Sequence, residues 1–419
     1  MRIIHVRAGR RSSFFLYLAF GVASLLYYTY HGLGNDFPIF FHAGQAVLRF
    51  QSPWQSSSDP VYAAYLNGPL TSIFLGFTAL LPSKLGLFLI RALSITALPI
   101  VVRKMAKIFE VDLDESVWLV SILLLFSFPI RANLEYGQLF VIYCLVAVTA
   151  VQISLKKDKF YLLISSGILI GICLDYKPQS FVILLPFVFA KLYRIVGLLI
   201  SIMVSAILSL FISDAWPFLE WLQALKSRSG ASYKTSDQMS LLGISWQLGI
   251  VSGLAIAATC VLYFYGLLQL RDLLRSRNYL LYTTIIIFNL VGLSFFLHPT
   301  DLVLNVIALL FLLTNDDEFT GKPIIAILLG FSLIWSNSIV VSITQFFIIQ
   351  ILVTFLRVGS NHYQTILISS PALFFALACR FSSNVEMTLR HSLNFGSCLG
   401  AILMLGHYIS NRNRAVEQI

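Results

Sequence analysis

Long apolar runs, separated by short polar breaks, recur from one end of the chain to the other. They fall near residues 14–30, 85–102, 115–130, 139–155, 160–174, 181–191, 196–212, 250–270, 279–297, 302–313, 323–337, 339–356, 363–378 and 393–408. Backbone polar groups inside lipid must pair within their own segment, so recurring runs of about 20 apolar residues predict helices rather than a barrel. The expected fold class is an all-α polytopic membrane protein, a bundle of about 12–14 transmembrane helices forming a single domain over 1–419. Two polar segments stand out between the runs, a first outward loop at 32–84 and a second at 213–239. Inside the first, the stretch 69–82 is bounded by Pro69 and Pro82 and is apolar enough to lie in the interface or re-enter the membrane.

Composition supports the same class. Of 419 residues, 58% are hydrophobic and 11% charged, with a mean hydropathy of +0.83, against about 25% charged residues in soluble domains. The net charge of +10 raises the question of a nucleic-acid partner, and its distribution answers it. With the amino terminus inside, 19 of the 29 basic residues fall in cytoplasmic segments, among them Arg2, Arg7, Arg10, Arg11, Arg103, Lys104, Lys107, Arg412 and Arg414. That bias is a topology signal and calls for no nucleic acid; it predicts a multi-pass plasma-membrane protein with both termini cytoplasmic. The run 14–30 ends Leu-Tyr-Tyr-Thr-Tyr and lacks a small-x-small cleavage site, so a retained anchor is expected. The five cysteines form no CxxC pair and no metal-ligand spacing. The cytoplasmic breaks at 103–114 and 315–322 are too short for a nucleotide-binding module, and no Walker string occurs.

The polar groups that remain gather on one face. Under this topology Asn35-Asp36, Glu135-Tyr136-Gly137-Gln138, Asp175-Tyr176-Lys177-Pro178-Gln179 and His298-Pro299-Thr300-Asp301 all sit at outward ends of spans, joined by Asp237-Gln238 from the second loop. Ionisable groups at membrane depth are costly unless they face a cavity, so the ring is a candidate site. The plainer reading stays open for each: a solvated helix end for Glu135, Asp175 and Asp301, an ion pair with Asp175 or snorkelling for Lys177, a structural imidazole for His298. Trp54, Trp216 and Trp221 are expected as interfacial anchors or a floor for sugar stacking.

Several of these segments form a recognisable series. DFPIFFHAGQAVL (36–48) resembles the signature of the GT-C-fold membrane glycosyltransferases of the glycosyltransferase 87 group, in which an outward loop opens with Asp and Phe and continues into Ala-Gly-x-Ala. The proline-bounded stretch 69–82, Gly137-Gln138, the Gly-rich run with a Lys-Pro turn at 167–194, and Gln238 with Ser240-Leu241-Leu242-Gly243 are similar to further motifs of that group, in the same order. Phe140 stands where the group usually has asparagine, Asn67-Gly68 replace a tyrosine and proline, and His298-Pro299 stand in for a stretch with paired histidines.

The resemblance implies an inverting hexosyltransferase that moves a sugar, commonly mannose, from a polyprenyl-phosphate donor to a lipid-linked or cell-envelope glycan acceptor at the outer face. It implies Asp36 as general base. Lys177, with His298 or Arg49, would meet the donor phosphate, while Gln138, Gln238, Glu135 and Asp237 would meet sugar or acceptor hydroxyls. No cofactor and no metal site are expected, and the partners are the two lipid-borne substrates and membrane lipids. A polysaccharide polymerase or ligase and a flippase or transporter of lipid-linked glycans are the alternatives; the first is usually marked by a large late outward loop, the second by internal repeats with broken helices. A non-enzymatic scaffold would leave Asp36 unexplained.

Overall fold

A computed structural model of the protein describes residues 2–3, 10–31, 34, 36–54, 65–109, 111–113, 116–156, 159–181, 184–189, 191–212, 216–232 and 299–313. The expected runs at 250–270, 279–297 and between 323 and 408, together with Asp237, Gln238 and His298, lie outside the described residues. The chain divides into two compact units. One comprises Met1–Leu18, Met105–Arg131 and Ser236–Ile419; the other comprises Ala19–Lys104 and Ala132–Thr235.

The described elements are helical apart from a two-residue parallel ladder pairing β1 (Arg2–Ile3) with β2 (Val111–Asp112) in the first unit. In chain order they are α1 (Arg10–Tyr30), α2 (Phe37–Leu48), α3 (Pro69–Ala79), α4 (Ser83–Ile108), α5 (Ser116–Leu125), α6 (Phe128–Tyr136), α7 (Phe140–Lys156), α8 (Phe160–Tyr176), α9 (Pro178–Phe181), α10 (Leu185–Phe189), α11 (Leu192–Ser209) and α12 (Pro217–Ser232). A 3-10 turn at Pro299–Leu302 leads into α13 (Val303–Leu313). Among the described residues Arg11–Tyr30, Ser83–Ile108 and Leu192–Ser209 are long and apolar enough to cross a membrane, and α5 with α6 makes a fourth span if the two count as one. The protein is an all-α polytopic membrane protein.

Four places depart from the runs expected along the chain. The run at 115–130 is broken: α5 stops at Leu125, and α6 restarts with Pro129 in its first turn. Pro129 has no N–H for the Leu125 carbonyl and its ring clashes with that carbonyl in a continuous helix, and the Ser127 hydroxyl donates to the Leu124 carbonyl at 2.6 Å, closing off the end of α5. The described residues of the first outward loop include two short helices, α2 and α3, which pack closely where Gly44 meets the Leu75 carbonyl. At 12 and 11 residues they reach only ~18 Å, short of the ~30 Å hydrocarbon core, so neither crosses alone. The run at 160–174 extends two residues to Tyr176, which draws Asp175 into a helix instead of a polar break. In place of one span at 181–191, the four-residue α9 ends at Phe181 and the five-residue α10 covers Leu185–Phe189.

The second unit is held by close helix packing. On α8 Gly167 and Gly171 are spaced four apart, and on α11 Gly197, Ser201, Ser205 and Ser209 repeat the same interval. A methyl group added at Gly167 would strike the Arg194 carbonyl, and one at Gly197 the Ile164 carbonyl, so the two backbones meet with no room for side chains. Small residues at this interval are how membrane helices reach close contact, since lipid supplies no hydrophobic drive between them. That contact fixes the carboxyl end of α8, from which the candidate site is built.

Candidate functional site

Asp36 occupies the N-cap of α2, ahead of Pro38 in the first turn, a position that favours a carboxylate. Its side chain makes no capping bond. Instead Oδ2 accepts a hydrogen bond from Nε2 of Gln138, a residue 102 positions away. Gln138 arrives there because the turn between α6 and α7 passes through Gly137 at φ +70°, where a Cβ would also collide with Leu87 and Phe37. The other end of the amide is engaged too, since the Tyr176 hydroxyl donates to Gln138 Oε1 at 2.9 Å. The Tyr176 ring in turn stacks on Tyr143, centroids 4.0 Å apart at 12°.

Lys177 follows as the C-cap of α8, its backbone N–H donating to the Cys173 carbonyl. Only 7% of its surface is exposed, and Nζ lies 5.4 Å from the centre of the Phe140 ring, which stacks on Phe181. The ammonium therefore sits over the first residue of α7, two positions beyond Gln138. Hydrogen bonds join Asp36, Gln138 and Tyr176 within one unit, and Lys177, next in the chain, lies over the Phe140 ring of the same unit.

Asp175 is not a solvated helix end. It is 5% exposed and both carboxylate oxygens accept bonds: Oδ1 from the Leu70 N–H and the Ser205 hydroxyl, Oδ2 from the Thr71 N–H and hydroxyl. A carboxylate from α8 thus caps the N-terminus of α3, whose own N-cap, Gly68, has no side chain to do so. Gly68 also donates its N–H to the Asp175 carbonyl, and a Cβ there would strike the carboxylate. The proline usual in the resembling group would lack that N–H, which accounts physically for the departure at this position. Thr71 continues the network to the Tyr143 hydroxyl at 2.9 Å, and Tyr65 bonds Ser72 at 2.8 Å. Burial pushes the Tyr65 phenol well above its usual range, so it stays neutral.

Other expected residues fall elsewhere. Arg49 is the exposed C-cap of α2, so the full length of that helix, about 18 Å, separates it from Asp36. The Glu135 side chain is exposed at the end of α6. Asp301 is buried in the first unit, where Thr300 bonds it at 3.3 Å. Trp54 and Trp221 are buried and donate their indole N–H groups to the Asn67 and Leu66 carbonyls, so they tie α12 and residues 52–54 to the start of α3 instead of offering a ring to a sugar. Trp216 is 69% exposed, as an interfacial anchor would be. Arg91, inside the apolar α4, went unnoticed in the sequence. It is 2% exposed and donates to the carbonyls of Leu134, Glu135 and Tyr28, which pins the end of α6 just before Gly137-Gln138. A lone arginine in an apolar run was the available signal.

The sequence model of Glycosyltransferase family 87 matches residues 65–299, more than half of the 419. The chain belongs to glycosyltransferase family 87. The match takes in Gln138, Asp175, Tyr176 and Lys177, while Asp36 and α2 precede it. No curated protein and no solved structure matches this family member.

Proposed function

We propose that this glycosyltransferase moves a sugar, mannose on the strength of the resemblance, from a polyprenyl-phosphate donor to a lipid-linked or envelope glycan at the outer face of the plasma membrane. The observation that carries the reading is a carboxylate, Asp36, that stands at a helix N-terminus without capping it and is linked through Gln138 to Tyr176, the residue before the buried Lys177. A lipid-borne donor needs no nucleotide pocket, and its phosphate needs a fixed positive charge.

In the transfer, Asp36 takes the proton of the acceptor hydroxyl as its oxygen attacks the anomeric carbon. The carbon–oxygen bond to phosphate breaks on the opposite face, so the configuration inverts, and polyprenyl phosphate leaves with the bonding electrons. A positioned base contributes ~10²–10⁴-fold. Lys177 stabilises the charge that develops on the departing phosphate. As written, the step asks nothing of a metal or cofactor.

The test is transfer of label from radiolabelled polyprenyl-phosphate mannose in membranes carrying the full chain, with the labelled lipid or glycan then analysed. Asp36→Asn keeps size and hydrogen bonding and removes the base. It should abolish turnover while donor binding persists, and near-normal turnover would end the reading.

A further inference from the structure

We infer that Tyr176 is a positioning residue for the base, acting through Gln138, and that the Gln138 amide serves the carboxylate more than the sugar. The inference rests on Asp36 as the base. An ionised carboxylate only accepts hydrogen bonds, so the amide of Gln138 must present Nε2 to Asp36. That leaves Oε1 pointing the other way, where a donor is needed to hold it, and the Tyr176 hydroxyl supplies one at 2.9 Å. An amide left without that partner is held by its Nε2 bond alone and swings about its last torsion, so the carboxylate it steadies is less well placed.

The tyrosine is itself well fixed. Its ring is fully buried, stacked on Tyr143 at 4.0 Å, and belongs to the last turn of α8, whose neighbouring Asp175 is fastened to α3 and α11 by four hydrogen bonds. The stacked Tyr143 joins the same fastening through Thr71, which bonds both its hydroxyl and Asp175. Rigidity passes from a buried polar hub to a phenol, from the phenol to an amide, and from the amide to the carboxylate. Reaction geometry is sensitive on this scale: a misplacement of about 1 Å can cost ~10²-fold.

Tyr176→Phe removes one hydroxyl and keeps the stacked ring, and Gln138→Met keeps the length of the side chain and removes its hydrogen bonds. Both variants, their double and Asp36→Asn are assayed as full chains in membranes, with the enzyme quantified and radiolabelled polyprenyl-phosphate mannose titrated. Tyr176→Phe should lower kcat by about 10-fold or more with KM within ~2-fold, Gln138→Met at least as much, and the double no further than Gln138→Met alone. A role confined to packing would leave kcat alone, and independent roles would multiply in the double. Wild-type kcat in Tyr176→Phe, or multiplying losses, overturns the inference while a dead Asp36→Asn leaves the base in place. An active Asp36→Asn overturns both. Should Tyr176→Phe fail to accumulate, Gln138→Met decides: wild-type kcat, or a loss confined to KM as expected of a sugar contact, overturns the inference.

Discussion

Two neighbouring residues at the end of α8 have opposite work. Asp175 accepts four hydrogen bonds from α3 and α11, and Asp175→Ala strips the acceptor from buried donors and uncaps α3. The expected loss is roughly 2–4 kcal/mol, read as a lowered melting temperature in detergent; an unchanged melt would show that the hub is not needed for stability. Lys177, two positions on, should matter to substrate instead. Lys177→Ala is expected to weaken binding of a polyprenyl-phosphate donor far more than of a polyprenol lacking phosphate, with the melt little moved, and equal weakening of both ligands would assign it to structure. Sequence alone separated these residues poorly. Lys177 announced itself as a cation before a proline between apolar runs, whereas the partners of Asp175 lie 104 residues upstream at Thr71 and 30 downstream at Ser205, beyond any local pattern.

At the scale of elements, the long spans are legible from hydropathy, whereas α2 and α3 read as parts of a loop although Asp36 with Pro38 and Pro69 punctuate their starts; the polar break expected around Pro178 does follow α8. The break between α5 and α6 is hidden from hydropathy because Phe126 and Phe128 keep the run apolar through Pro129, where the backbone geometry does not continue. The close approach of α8 and α11 is half legible, since Gly167 and Gly171 mark a Gly-rich run, whereas the stripe from Gly197 to Ser209 is mostly serine within an apolar run. That contact makes a prediction of its own. In Gly167→Ala the added methyl meets the Arg194 carbonyl, so α11 must move away from α8 and carry Ser205 from Asp175. A loss of about 1–3 kcal/mol is expected in detergent melts, although alanine is the better helix former, and a stabilised variant would show that the helices are not in backbone contact.

For the molecule as a whole, family membership and an all-helical membrane fold were both readable from the order of motifs and the recurrence of apolar runs, because neither depends on knowing which residues touch. Orientation depends on charge instead. Arg2 and Arg7 precede α1 and Arg10 and Arg11 open it, and Lys156 ends α7 with Lys157 and Lys159 following before α8, whereas Asp36 and the Gln138 turn follow the opposite ends of spans. In the orientation proposed, retention of basic segments at the cytoplasmic face would put Asp36 and Lys177 on the outer side, where a lipid-borne sugar on the outer leaflet would be within reach. Arg194 weakens the tally without reversing it: it is buried, donates to the Phe187 carbonyl at 2.7 Å and lies 3.9 Å from that ring, so it acts as a packing group and not as a loop charge. Reporter fusions test the arrangement directly. Fusions after Ser58 and Ser229 should report outside and one after Lys157 inside. If Ser58 and Lys157 exchange sides, Asp36 faces the cytoplasm, an outer-leaflet donor is out of reach, and the transfer proposed for this face fails with it.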